Sequence, residues 1–393
     1  MLSLGNNITS SSAIESKYSL NLDGTDDHLD CGIVDFDTNN FSISLWFKIA
    51  DGVTWDQHAA LLDNRNTAGV GLGCVIWFEG TGQVRFFSVF GSGLDLAESH
   101  VTGLAVDTWH HIAVTVNRSG DQVLYANGSE ANRDDISSFS SVDITNSLSL
   151  LIGKYRGSGG KYIEGKIDEV AIWNIELDSD AVSAIYNSGR PFNLNFDRGN
   201  YDNSANLQQY WKMGDGPNDD KADGIVHDAH NPGFSSEKLV NSDLSSSGDI
   251  STSSFSLGWI VTDDANIGSS IANGELILEH PNGQAAVDPS RVWACTNGSN
   301  TNALTVGKVY KFTYTVSDVD GVTQLQYNHD VWYDLPETVG THYVYWRQTT
   351  NQHFVLMNHG NNSTIKLSSV SIVELNGFPG MTSGGPTFSS DAP

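Results

Sequence analysis

From Tyr18 onward, apolar and polar residues alternate in short runs punctuated by Gly, Asn and Asp. FSISLWFKIA (residues 41–50) puts Phe41, Ile43, Leu45, Phe47 and Ile49 on one face, the pattern of a half-buried strand. CVIWFEG and QVRFFSVFG flank a Gly-containing turn at 80–82 and predict a hairpin. WHHIAVTVN alternates again. DQVLYANGSEA carries Asn127-Gly128, a strong two-residue hairpin signal. LSLLIGKY and GKIDEVAIWN predict two more strands. One helix interrupts the series: Ser179 stands as N-cap to DAVSAIYN, and Gly189 and Pro191 stop it.

A second run of strand patterns follows residue 236. It includes LGWIVT, GELILEH, RVWACT, KVYKFTYTVSD, TQLQYNHD, HYVYWRQT, HFVLMNH and IKLSSVSIVEL. Tyr310, Phe312, Tyr314 and Val316 alternate with Val309, Lys311, Thr313 and Thr315. So many short strands at close spacing predict a second sandwich. The fold class is therefore all-β, two tandem antiparallel jelly-roll sandwiches with one short helix in the first. The expected organisation is an arm (1–16), a sandwich (17–192), a connector (193–236), a second sandwich (237–376) and a Gly/Pro/Ser-rich tail without a core pattern (377–393). Within the connector, NLQQYWKMG is placed to return a strand to the first sandwich.

Composition supports this picture. Gly is abundant at 39 residues and charged residues are only 17%, the profile of a turn-rich β protein. The net charge of −27, from 47 acidic and 20 basic residues, repels phosphate backbones and disfavours nucleic-acid binding. Cys31, Cys74 and Cys295 fit neither a disulfide framework nor a zinc site. Cys31 and Cys74 sit in apolar strand patterns, so they read as buried thiols of a chain folded in a reducing cytoplasm. The first residues lack a basic and apolar leader, and no stretch approaches the roughly 20 apolar residues of a membrane span.

The order of elements from Tyr18 to Pro191 resembles the laminin G-like (concanavalin A-like) jelly-roll superfamily. SLNLDGTDDHLDCG is similar to its opening strand pair, FSISLWFKI to its central strand, WHHIAVTVN to its "W-H-hydrophobic" strand, and GKIDEVAIWNIELDSDAVSAIYNSG to its closing strand and helix. Residues 239–375 more loosely resemble jelly-roll carbohydrate-binding modules, with Ser368 or Ser369 in the closing strand where such modules commonly carry an Asp. The combination, with its YWKMGDG connector, resembles structural proteins of marine tailed bacteriophages. That resemblance implies a virion protein, either a capsid decoration or a tail or fibre appendage. It would fold in the host cytoplasm without a signal peptide, then face outward on the virion surface within a homo-oligomer or larger assembly of virion proteins. Two rivals stand beside it: a cell-surface adhesin or secreted lectin, and a binding module of a glycoside hydrolase.

Catalytic patterns are missing from the sequence. It has no strand carrying the Glu-x-Asp-x-x-Glu of sandwich glycosidases, no G-x-S-x-G elbow, no H-E-x-x-H helix and no P-loop, so no enzyme is expected. His110 and His111 are adjacent on a strand and point to opposite faces, which prevents them from sharing an ion. The resemblance implies calcium tying the first strand to the last, at Asp23 and Asp26 with Asp168. A second candidate is Asp63-Asn64. The competing reading makes these residues turn and backbone-capping groups. A glycan site would need exposed aromatic rings, and Trp293, Trp332, Tyr333 and Trp346 are the candidates, each with core packing as its alternative.

Overall fold

The computed structural model describes residues 16–393 except 56–57, 67–70, 92–95, 158, 240, 250–258, 261–268, 281–289, 295–303, 329–330, 352 and 361. The expected arm at 1–16 therefore lies, apart from Ser16, outside the described residues. The chain divides into two compact units, residues 1–232 with 377–393, and residues 233–376.

The first unit contains β1 (Ser19–Asp23), β2 (His28–Ile33), β3 (Phe41–Lys48), β4 (Ala60–Asp63), β5 (Gly73–Gly80), β6 (Gln83–Val89), β7 (Leu96–Val101), β8 (His110–Val116), β9 (Asp121–Ala126) and β10 (Ser129–Asp135). Then come β11 (Ser149–Ile152), β12 (Glu164–Trp173), helix α1 (Ser179–Tyr186), β13 (Leu207–Trp211) and β14 (Ile225–Val226). The β9–β10 hairpin turns at Asn127 (φ 49°) and Gly128 (φ 78°), the positive dihedrals that a two-residue hairpin demands. The helix cap is Asp178 rather than Ser179: its carboxylate accepts the Ala181 N–H at 2.8 Å.

The second unit has two sheets. One orders β15 (Gly248–Asp249), β17 (Ser270–Ala272), β18 (Glu275–His280), β25 (Ser363–Glu374), β20 (Val309–Asp320) and β23 (Gly340–Arg347). The other orders β16 (Trp259–Ile260), β19 (Ser290–Ala294), β24 (Val355–Asn358), β21 (Leu325–Asn328) and β22 (Trp332–Asp334). Tyr310, Phe312, Tyr314 and Val316 face inward and pack with Leu276, Leu278, Leu356 and Ile372 into one core. This is the second sandwich, and the whole is an all-β fold of antiparallel sandwiches with one α-helix among the described residues.

The last residues depart from the expected coreless tail. β26 (Gly380–Ser383) inserts between β14 and β2, and β27 (Thr387–Ser389) pairs with β1. Together they complete the two sheets of the first unit, β10-β9-β8-β3-β12-β1-β27 with β13 on β12, and β14-β26-β2-β11-β4-β5-β6-β7. Their stability comes from backbone bonds to waiting strand edges, to which Phe378 and Phe388 add partial packing on the core. Neither contribution needs an apolar repeat, so composition could not reveal it.

The inner faces of these sheets form the main core, with Ile43, Leu45 and Phe47 facing Leu29, Cys31, Cys74 and Phe86. Cys31 and Cys74 are buried, and burial pushes the Cys74 thiol up; Cys295 lies outside the described residues. β3 is not half-buried. Ser42 and Ser44 are covered as well, because α1 and the chain near 192–211 pack Val182, Ile185, Phe192, Tyr201 and Tyr210 over the outer face around Trp173. His110 and His111 take opposite faces as expected. His110 packs on Phe47, while His111 lies 5.1 Å from the Trp46 ring.

Candidate functional site

The proposed calcium residues do not converge on one point. Asp23, Asp26 and Asp27 bring carboxylate oxygens within 4.8 Å of one another at the β1–β2 turn. Asp23 Oδ1 accepts the Thr25 N–H at 2.8 Å, and Asp27 Oδ2 accepts the Asp23 N–H at 3.0 Å. Gly24 sits against Glu164 with φ 78°, a close approach that a side chain would prevent. Burial pushes the Asp27 carboxyl above its ordinary value, with the Asp23 N–H opposing it. Three carboxylates at this spacing suit a hard cation that takes about six to eight oxygens, the remainder coming from carbonyls or water.

Asp168 is elsewhere. Asp23 pairs with Glu164, whereas Asp168 pairs with Trp46, four residues further along β12 and so roughly 13 Å away at a strand's rise. It is fully buried. Its Oδ2 accepts Ser16 Oγ–H at 2.5 Å, and Oδ1 accepts the Glu169 N–H at 2.8 Å. The next residue, Glu169, sits at a β-bulge with φ 49° and accepts the Tyr210 hydroxyl, with Lys212 Nζ at 3.7 Å. Burial pushes both carboxyls up, Asp168 well above its usual range. Asp215 accepts the N–H groups of Lys17 and Tyr18 beside them. The network fastens the chain's entry to β12 and β13, which is a structural task.

Asp63-Asn64 is likewise no calcium site. Asp63 is completely buried and makes two bonds to the Arg65 guanidinium, at 3.0 and 2.6 Å. The guanidinium lies 5.0 Å from both the Trp77 and Tyr155 rings, so a fixed organic cation stands where a metal would have to sit. The Asn64 amide donates to Val34 O at 3.1 Å.

The aromatic candidates also separate. Trp346 is only 2% exposed and packs on Phe354 at 5.0 Å, its indole N–H donating to Gln348 Oε1 at 2.9 Å; it belongs to the core. Trp293 falls on β19, opposite Ile260 and Val355, and its side chain lies outside the described ones. Trp332 and Tyr333 are exposed, 38% and 39%, on the edge strand β22, where Tyr333 stacks on Tyr327 at 5.2 Å.

A better platform lies on β23. Thr341, Tyr343 and Tyr345 alternate with His342, Val344 and Trp346, so the burial of Trp346 turns the tyrosines outward. Tyr343 is 40% exposed, and its ring meets that of Tyr345 edge-on at 5.7 Å. Lys311, opposite Tyr345 on β20, holds Nζ 4.1 and 4.9 Å from the two ring centroids. Beside them runs a hydroxyl row. Thr313 pairs with Ser371; Thr315 Oγ1 bonds Thr341 Oγ1 at 2.8 Å and accepts Ser369 Oγ–H at 2.8 Å. Two ring faces, an ammonium and a line of hydroxyls can stack on and hydrogen-bond a flat polyhydroxylated ligand. HYVYWR carries the signal in its alternation, but only the sheet partners show which half faces out.

Residues 23–183, within the first sandwich, match the model of the concanavalin A-like lectin/glucanases superfamily, in keeping with its laminin G-like jelly-roll pattern. Botulinum neurotoxin type X of Clostridium botulinum is 24% identical over 189 residues, which are 46% of this chain and 13% of that protein. This chain thus spans a small part of that relative. Among solved structures, the heptameric SAP-like pentraxin of Limulus polyphemus covers 44% of this chain and 82% of its own, at 13% identity and a TM-score of 0.35. The Ruminococcus gnavus IT-sialidase CBM40 bound to α2,3-sialyllactose covers 43% and 97%, at 16% identity and a TM-score of 0.33. Neither likeness assigns this chain a ligand.

Proposed function

We propose that this chain is a non-enzymatic bacteriophage virion structural protein, a capsid decoration or tail appendage, whose sandwiches contact surface glycans. The observation that carries the binding role is the outward face of β23 and β20, where Tyr343, Tyr345 and Lys311 adjoin the hydroxyls of Thr313, Thr315, Ser369 and Ser371. Buried acid pairs such as Asp168–Glu169 are locked by Ser16, Tyr210 and Lys212, and serve the fold rather than a reaction. No described helix is long and apolar enough to cross a membrane. On this reading the partners are other virion proteins and host-surface glycans, the location is the virion surface, and calcium is held by Asp23, Asp26 and Asp27.

A glycan array probed with the full chain and with Tyr343→Ala/Tyr345→Ala tests the binding face. Retention of selected glycans by the parent and their loss in the variant, with an unchanged thermal melt, supports it. Equal retention by both proteins, or none by the parent, overturns it.

A further inference from the structure

Lys48 and Lys166 stand directly opposite each other on β3 and β12. Like charges so placed repel, and an acidic chain gives no general reason to juxtapose two of its few cations. The repulsion is answered from the far end of the sequence. Asp391 Oδ2 lies 3.1 Å from each ammonium, and Oδ1 accepts the Trp109 indole N–H at 3.1 Å. Burial pushes the Asp391 carboxyl up, but Trp109, Lys166 and Lys48 outweigh it and hold the group below its ordinary value. The carboxylate is thus gripped at both oxygens by three donors, the geometry of a bound anion.

The grip opens onto a cavity of about 320 Å³, lined also by Asn21, Asp23, Asp107, Glu164, Ala50 and Val53. That is the size of a small-ligand site. Its lining is of mixed sign, with the two ammoniums that hold Asp391 on one hand and three other carboxyl groups on the other, while the Trp109 indole N–H meets the site at Asp391. A free carboxylate fits the first, and hydroxyl donors fit the second. Asp391 lies past the last strand and is anchored there by Ser19 Oγ–H to its carbonyl at 2.6 Å and by its own N–H to Ser389 Oγ at 3.2 Å. Asp391 is outside the β27 pairing, so displacing its side chain need not unpair that strand.

We propose that Lys48, Lys166 and Trp109 form a recognition site for a carboxylated sugar, occupied in cis by Asp391 as a tethered competitor. The site is distinct from the tyrosine face and stands or falls independently of it. Tethering gives Asp391 a high effective concentration, so an external ligand meets mostly closed sites. If about nine-tenths are closed, the apparent Kd is roughly tenfold above that of the open site.

The test titrates glucuronic acid, glucose, acetate and a peptide of residues 387–393 into the ¹⁵N-labelled full chain. The readout is the Trp109 indole resonance, assigned with Trp109→Phe. Asp391→Asn removes the charge and keeps the shape, and a thermal melt checks its fold. The expected result is glucuronate binding about tenfold tighter in Asp391→Asn than in the parent, no response to glucose, and loss of binding in Asp391→Asn/Lys166→Gln. Equal affinity in parent and Asp391→Asn, or no binding by either, overturns the proposal. Acetate binding as tightly as glucuronate overturns the sugar assignment. A peptide that outcompetes glucuronate overturns it too, in favour of exchange of this segment between copies.

Discussion

Replacing Arg65 by Met should cost the first unit about 3–5 kcal/mol, the range for leaving one partner of a buried ion pair unpaired. Arg65 is 1% exposed and Asp63 not at all, so no water replaces the lost guanidinium. Asp63 would keep two backbone donors, the N–H groups of Arg65 and Arg156, each at 3.0 Å. The Arg156 guanidinium also acts on Asp63 electrostatically, but it makes no side-chain bond to it, and two neutral donors do not compensate the lost hydrogen-bonded charge. Met fills most of the slot between Trp77 and Tyr155, so packing loss contributes little of the total. Asp63→Asn/Arg65→Met removes both charges and should recover all but about 1–2 kcal/mol, giving a coupling energy of a few kcal/mol. Urea unfolding needs a probe confined to this unit, because a chain of two units need not unfold in one step. Hydrogen exchange of the β4, β5 and β11 amides supplies that probe. A loss below 1 kcal/mol in Arg65→Met, or a double variant no better than the single, would refute the reasoning. So would an equal loss produced in the parent by EDTA and reversed by calcium, which would restore Asp63 as a metal ligand.

Three further predictions follow from the same structure. Burial holds His111 down to about 3, and neither ring nitrogen has a hydrogen-bond partner among the described residues. The folded form therefore binds fewer protons than the unfolded one, so this contribution is complete above about pH 6.5 and lost as pH falls towards 3, at about 1.4 kcal/mol per pH unit. His111→Phe should flatten that part of the stability–pH curve, and an unchanged slope would contradict the assignment. Removing residues 377–393 takes β26 from between β14 and β2, so it should expose the β2 amides to exchange while leaving β20 and β25 protected; unaltered β2 protection would deny the tail its strands. Calcium should raise the melting temperature of the parent and not of Asp26→Asn/Asp27→Asn, as read by calorimetry with and without EDTA; an equal rise in both proteins would empty that turn of its proposed ion.

Much of the fold was legible because alternation reports which side chains share a face. Tyr310 to Val316 and Phe41 to Phe47 lie where the pattern put them, and Asn127-Gly128 makes its turn. What alternation cannot report is what covers the other face. The helix and the chain near Tyr201 and Tyr210 bury Ser42 and Ser44, residues whose polarity suggests solvent. Nor does a linear sequence show that residues 377–393 return across an intervening unit to two strand edges. The site suffered from the same limit. Asp63 looked like a turn carboxylate until Arg65 was seen folded over it. Asp168 shares a strand with the partner of Asp23, yet lies four residues too far along. In HYVYWR both parities carry aromatic rings, so the sequence alone does not tell that Trp346 belongs to the core and the tyrosines to the surface.

A component of a virus particle, as proposed for this chain, must copurify with the particles. Quantitative mass spectrometry of purified particles, released by lysis from cells expressing the gene, tests it most directly. The chain should be present in every preparation, in multiple copies per particle scaled against the major capsid protein. Its absence from particles, with the protein recovered instead at the bacterial surface or in the medium, would rule out the virion role and favour an adhesin.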